Sequence, residues 1–375
     1  TQILQGLPSD KRGTAKAIIH TYLGYNIKPL EPFWRKVNSY AQFIQFVTLL
    51  PFATLGSIPD FGGPLINSKE FSAFGTWAKM FKQQFADKEE ARLFGEMVGV
   101  VAGEAQAHTW MSVADSDFMD PTVRGWSRHF FRAVFLEQLT TFSRHFAAGM
   151  GAEFLSTHAR GASPRSTRYL EALGVTRDDV LAWEASGVTR TARSFEGEAG
   201  QRVQSAILKF VTDSVLKPNA AERPVWASDP RFAVVWQLKS FMYSFGKVIV
   251  GGTFREIQTR MDEADNTFFD QATAVTLPLA LAAVALLPLA ALGLELREYT
   301  KTALSFITPG VEGSTRYMRT DDMAWGEYFS ELLDRTGVYG PLAIVGMMAQ
   351  NAQWDKNPLL PLLGPTVEMT SEVLS

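Results

Sequence analysis

Arg124, Arg128 and Arg132 follow one another at four-residue steps, the spacing that lines side chains along one side of a helix. Guanidinium groups in such a row can track the phosphates of a nucleic acid without reading its bases. The stretch from Arg124 to Arg168 adds Arg144, Arg160, Arg165 and Arg168 against only Glu137 and Glu153, a local excess of five positive charges. His129, His145 and His158, three of the five histidines, lie there too. Two readings stand side by side. Arg124, Arg128, Arg132 and Arg144 form a non-specific DNA contact, or the stripe is a solvated face that pairs with acidic runs such as Asp87 to Glu90 on a neighbouring subunit.

Groups that could do covalent or metal chemistry fail on spacing. Gly246-Lys247-Val248 lacks the hydroxyl residue of a phosphate loop, and Phe241 stands where its first Gly belongs. Gly149-Met150-Gly151 leads to Phe154 where a dinucleotide fingerprint needs Gly or Ala, and it follows helix-like rather than strand-like sequence. Asp115, Asp117 and Asp120 open like a calcium loop, but the central Gly is absent and Trp126 occupies the place of the bidentate Glu. These aspartates read as turn caps. Glu104 and His108 lie one helical turn apart with no third metal ligand nearby, so a plain hydrogen bond is expected. No Gly-x-Ser-x-Gly elbow occurs, and no pair of carboxylates stands in a diagnostic context. No catalytic residue, metal or cofactor is expected.

Composition narrows the class. The chain has 375 residues, 46% hydrophobic and 20% charged, with a net charge of -3. That excludes a disordered tail and a globally basic nucleic-acid coat. There is no cysteine, which excludes disulfide scaffolds, thiol nucleophiles and thiolate metal sites. Mean hydropathy is -0.02, too low for a polytopic transporter. No signal peptide is expected at the start.

The elements that would position these groups read as helices. Trp126, Phe130, Val134, Phe135, Leu139, Phe142 and Phe146 mark one face of a single helix from Val123 to Phe146. Asp120-Pro121 supplies its N-cap and first turn, and Asp229-Pro230 repeats the signal before Val234, Leu238, Phe241, Phe245 and Val248. Val203, Ile207, Phe210 and Val211 mark a shorter helix, and Thr176 to Trp183 another. Strand-like alternation is rare. The expected fold is all-α, an elongated multi-helix assembly with one membrane-length apolar helix. Residues 160–200, rich in Arg, Ser, Gly and Thr, read as an exposed connection. The chain divides into 1–160, with the basic stripe, a middle helical region 161–270, and 271–375, with the apolar helix.

That helix is the segment Ala272 to Leu294, 23 residues without a charge, including eight Leu and eight Ala. At 1.5 Å per residue it spans about 34 Å, enough for a hydrocarbon core of about 30 Å. Its Leu and Val residues favour insertion by about 3–6 kcal/mol. Pro278 and Pro288 each oppose this by up to about 3 kcal/mol. The segment is able to enter a bilayer but not compelled to, and a buried central helix is the competing reading. The membrane-segment residues are Ala272, Pro278, Leu281, Ala283, Leu287, Pro288 and Leu294. Val37 to Pro59 and Thr336 to Trp354 are also uncharged but carry Asn and Gln, and read as core or subunit interface.

Residues 209–249 carry a recognisable pattern. A helix is followed by Lys217-Pro218-Asn219, then Arg223-Pro224-Val225-Trp226, Ser228-Asp229-Pro230 and Gln237-Leu238-Lys239-Ser240-Phe241. The pattern resembles a segment of the internal virion, or ejection, proteins of short-tailed bacteriophages and of the large polyvalent proteins of phages and prophages. The apolar run into Leu294-Glu295-Leu296-Arg297-Glu298 and the stretch Leu55 to Pro64 fit the same resemblance. In this reading Pro218, Asn219, Arg223, Pro224, Trp226, Asp229, Pro230, Gln237, Lys239 and Phe241 are packing positions of the motif.

The resemblance implies a protein stored inside the capsid and passed into the host envelope and inner membrane with the genome. There it forms part of an oligomeric conduit for DNA. Its implied partners are further copies of itself, other phage virion and ejection proteins, the portal or tail, genomic DNA and the host inner membrane. The peptidoglycan-cleaving domain of some relatives carries a Glu-Ser pair, and no Glu is followed by Ser here. An alternative is the non-catalytic helical arm of a giant virion-packaged enzyme, such as a virion RNA polymerase, used for packaging or membrane tethering.

Overall fold

The computed structural model describes residues 13, 15, 16, 31–49, 53–100, 120–161, 163–215, 250–263, 267–307 and 323–335. Among them the fold is all-α, with no strand. The helices are α1 (Pro32–Leu49), α2 (Ala53–Gly56), α3 (Gly63–Asn67), α4 (Ala73–Ala86), α5 (Lys88–Val98), α6 (Pro121–Ala133), α7 (Leu136–Gly161), α8 (Pro164–Leu173), α9 (Arg177–Ala185), α10 (Gly197–Ser214), α11 (Gly251–Glu263), α12 (Phe268–Ile307) and α13 (Trp325–Arg335). A 3-10 turn, Ile58–Gly62, joins α2 to α3, and another covers Arg190–Ala192.

Helix α7 is the hub. It packs against α4, α5, α6, α8, α9 and α10. Its small residues Ala147, Ala148, Ala152 and Ala159 alternate with Phe146, Met150 and Leu155, so neighbours approach closely and large side chains fill the gaps. Phe61, Trp77, Phe81, Phe142 and Phe146 meet edge to face or stacked at 5.2–6.1 Å between ring centres.

Helix starts follow local chemistry. Asp120 accepts from Thr122 N at 3.0 Å and Pro121 opens α6, as the Asp-Pro signal requires. Thr176 and Asp179 close a reciprocal capping box on α9. Gly174, at φ 81°, ends α8 in the left-handed region that suits Gly.

Two expectations need correction. The helix expected from Val123 to Phe146 is two helices, because Phe135 adopts φ 59° and breaks the ladder between α6 and α7. Val123, Phe131 and Leu136 then pack with Phe46 of α1, while Trp126 and Phe135 are exposed. The break shifts the helical phase, so the anticipated single apolar face does not exist. Residues 160–200 are not an exposed connection either. Tyr169, Leu170, Val175, Val180 and Trp183 enter the same core as Phe61, Phe94, Leu155 and Phe210. Their Arg, Ser and Gly content reflects caps and ion pairs on short helices, such as Arg202 with Asp179 and Arg160 with Glu184. One core thus runs across the boundary drawn at 160/161.

A second layer consists of α12 with α2, the 3-10 turn, α3, α11 and α13. Residues 53–67 are the part of this layer that meets the hub. Side chains at Gly62 and Gly63 would collide with backbone on both sides: a Cβ on Gly62 would stand 2.7 Å from the Ala285 carbonyl oxygen of α12, and one on Gly63 would strike the Ser214 carbonyl of α10. Consecutive glycines let the two layers meet backbone to backbone.

Candidate functional site

Helix α12 is 40 residues long and is the one described helix long and apolar enough to cross a membrane. It is packed on one side only. Ala274, Pro278, Leu281, Ala285, Leu286, Ala290, Gly293 and Leu294 are buried, at steps averaging close to four residues, so the packed stripe winds gradually around the helix. Leu281, Ala285 and Leu286 meet Leu65 and Ile66 of α3, while Ala290 and Leu294 meet Leu332 of α13. Each fully buried Leu there contributes about 2 kcal/mol.

The opposite side stays apolar without cover. Leu279, Val284 and Leu292 are each about half exposed, and Leu296 is exposed as well. Of the expected membrane-segment residues, Pro278, Leu281 and Leu294 belong to the packed face, Ala272, Ala283 and Leu287 are half-buried, and Pro288 is exposed. Aromatic rings flank the uncharged stretch: Phe268 and Phe269 are strongly exposed at one end and Tyr299 at the other. Of these rings only Tyr299 is of the amphipathic kind enriched at membrane interfaces. Proline has no N–H, so Pro278 and Pro288 leave the Ala274 and Val284 carbonyls without a helical donor.

A second uncovered apolar stripe runs along α1. Phe33, Val37, Tyr40, Ile44 and Val47 follow at steps of four and three and are all exposed, whereas Ser39, Gln42 and Phe46 are buried on the other side. Ser39 Oγ accepts from Asp120 N at 2.9 Å and donates to Arg35 O at 2.8 Å, which fastens the polar side of α1 to the start of α6.

The basic stripe is only partly a surface. Arg132 is exposed and Arg124 half-buried on α6; Arg128 lies on α6. Arg144 is corrected from a surface contact to a buried residue. Its exposure is 6%, and Nε and Nη1 meet no acceptor among the described residues. Burial lowers the affinity of its guanidinium for a proton and does the same to the His145 imidazole beside it. The basic groups that do gather at a surface are Lys88, Arg92 and Arg132, which line an open cavity of about 400 Å³ together with Phe142 and the His145 imidazole. Arg92 is paired there with Glu89 and Glu96, each at 2.5 Å.

No protein-family model, curated protein or solved structure matches this chain. What it can do therefore rests on its own residues. The motif positions Pro218, Asn219, Arg223, Pro224, Trp226, Asp229, Pro230, Gln237, Lys239 and Phe241 lie outside the described residues, as do Glu104, His108, Asp115, Asp117 and 336–354.

Sequence reasoning missed a buried polar cluster beside α12. The Tyr169 hydroxyl donates to Glu256 Oε1 at 2.6 Å, Arg260 Nε donates to the same oxygen at 2.8 Å, and Lys69 Nζ lies 3.4 Å from Glu256 Oε2. Lys69 also sits over the Tyr169 ring, 4.6 Å from its centre. Burial first, and the Glu256 carboxylate second, hold the Tyr169 phenol protonated well above its usual range. Only Glu256 and Arg260, four apart, were legible as a pair; Lys69, just past α3, and Tyr169 of α8 arrive from distant parts of the chain.

Proposed function

We propose that this chain is a structural protein of a phage virion, ejected with the genome. In this reading it assembles with copies of itself and other ejection proteins, near the portal or tail, and forms part of a conduit for DNA across the host envelope. Its mechanism is assembly and membrane engagement, not chemistry. The observation that carries the proposal is α12: a 23-residue uncharged stretch that buries one face in its own protein and leaves Leu279, Val284 and Leu292 half exposed.

That arrangement suits a chain with two solvents in its life. In the capsid, neighbouring subunits cover the outer face of α12 and the α1 stripe. In the host envelope, lipid replaces those neighbours on α12. A chain without cysteine passes through a tail without redox steps. The exposed Arg132 and the Lys88 and His145 surface, rather than Arg144, face the DNA path. Arg132→Glu is expected to weaken DNA retention and to flatten its salt dependence.

The test is reconstitution of the whole chain into liposomes loaded with a fluorescent oligonucleotide. Release that rises more than linearly with protein concentration supports an oligomeric conduit. A chain that stays monomeric and releases nothing contradicts it.

A further inference from the structure

A cavity of about 370 Å³ opens between α3, α8, α10, α11 and α12. Its walls differ in character. Ile66, Phe154, Phe210 and Leu281 make one side apolar, while Lys69, Lys209 and Arg255 bring cations from three separate elements. Its volume falls within the range of small-ligand pockets.

The charges do not cancel. Glu256 lines the cavity but is occupied: Oε1 accepts from Tyr169 and Arg260, and Oε2 faces Lys69. Asp213 also lines it. With Arg260 behind Glu256, four cations meet these two carboxylates among the described residues, an excess of two positive charges. Lys209 Nζ donates one hydrogen bond to the Ala172 carbonyl oxygen at 2.6 Å, and an ammonium has two further donors. Among the described residues no acceptor meets the Arg255 guanidinium, which offers a planar fork suited to two oxygens of one anion. Asn67, tied to Ser214 Oγ at 2.9 Å, adds a neutral polar group on the α3 wall.

We propose that this cavity binds a phosphate-class anion, with Lys209 and Arg255 as its principal contacts. The phosphoryl oxygens sit between α10 and α11, and any apolar portion of the ligand lies against Ile66, Phe154 and Leu281. Two sources share this chemistry: a phospholipid headgroup and a free phosphate or phosphomonoester. Basic pockets beside apolar helices are a recurrent form of headgroup site. Pro278 and Leu281 of α12 form part of the wall, so an occupied cavity also braces α12 against the hub. The proposal stands whether or not α12 enters a bilayer.

The test is calorimetric titration of the whole chain, at low ionic strength, with inorganic phosphate and separately with soluble dihexanoyl phosphatidic acid. The variants are Lys209→Met with Arg255→Met, and Arg92→Met as a distant control. Circular dichroism melts confirm that each variant is folded. The expected result is saturable binding of at least one probe, with Kd below about 1 mM. The double variant weakens it at least about tenfold, and Arg92→Met leaves it unchanged. Tighter binding of phosphatidic acid assigns the site to a headgroup, and equal binding assigns it to a free phosphate. No binding of either probe, or binding that the double variant leaves intact, overturns the proposal, even where the chain releases oligonucleotide from liposomes.

Discussion

Helices α7 and α12 solve opposite problems. Helix α7 carries arginine, histidine and serine, yet it is enclosed by neighbouring helices, and even Ser143, Arg144, Ser156 and His158 are buried in it. Helix α12 carries no charge from Ala272 to Leu294, yet one of its sides is open. Apolar content and burial are therefore uncoupled. The hub is as apolar as its packing demands, whereas α12 is more apolar than its packing demands. Several exposed Leu and Val on one helix make an apolar surface that soluble proteins keep small unless another surface covers it.

The comparison breaks first under core truncation. Leu155, fully buried in α7, should cost about 3–4 kcal/mol when replaced by Ala, read from urea denaturation. Leu292→Ala on the open side of α12 should cost under about 1 kcal/mol by the same measurement. Equal costs would mean that α12 is as enclosed as α7.

Next comes Asp179, which caps α9 and takes the bidentate contact of Arg202 at 2.8 and 3.1 Å. That hydrogen-bonded guanidinium, helped by the Thr176 bonds, holds its carboxyl down at about 2. The stabilisation is present above the ordinary Asp value and is lost as pH falls through about 2. Asp179→Ala should lower stability by about 2 kcal/mol at pH 7 and by progressively less in acid, followed by thermal melts across pH.

Asp60 should show the opposite sign with a smaller effect. It sits in the 3-10 turn that packs on α12, and burial pushes its carboxyl up to about 7. A raised folded value means the group favours the fold below about 4, and this contribution is lost as pH rises through about 7. Asp60→Asn should therefore raise the melting temperature by a few degrees at pH 8 and leave it unchanged at pH 4. No difference between the two pH values would remove the buried acid from the account.

Much of this was legible in the residues. The all-α class follows from helical spacing, and α12 from a run of 23 uncharged residues that no other described helix approaches. The face by which α12 packs was hidden because the run is apolar all round. It is set by Gly62 and Gly293, whose missing side chains admit the Ala285 and Leu55 carbonyls, a tertiary fact with no local signature. The break at Phe135 was equally invisible. A non-Gly residue stands at φ 59° where Phe131 and Leu136, on either side of the break, both pack on Phe46. The cavity beside α12 draws on residues 66 to 281, so no window of sequence contains it.

The packed face also decides which substitutions probe the membrane. Ala285 lies against Gly62, so a charge there would unseat the helix from its own protein, whereas Val284 and Leu292 point a charge outward. Liposome flotation of the whole chain beside the Val284→Asp, Leu292→Asp double variant is the most direct test of the central claim. The account predicts that the wild-type chain floats with the vesicles and the double variant stays at the bottom while keeping its helical circular dichroism. If both float alike, or neither floats, the open side of α12 is not a membrane surface.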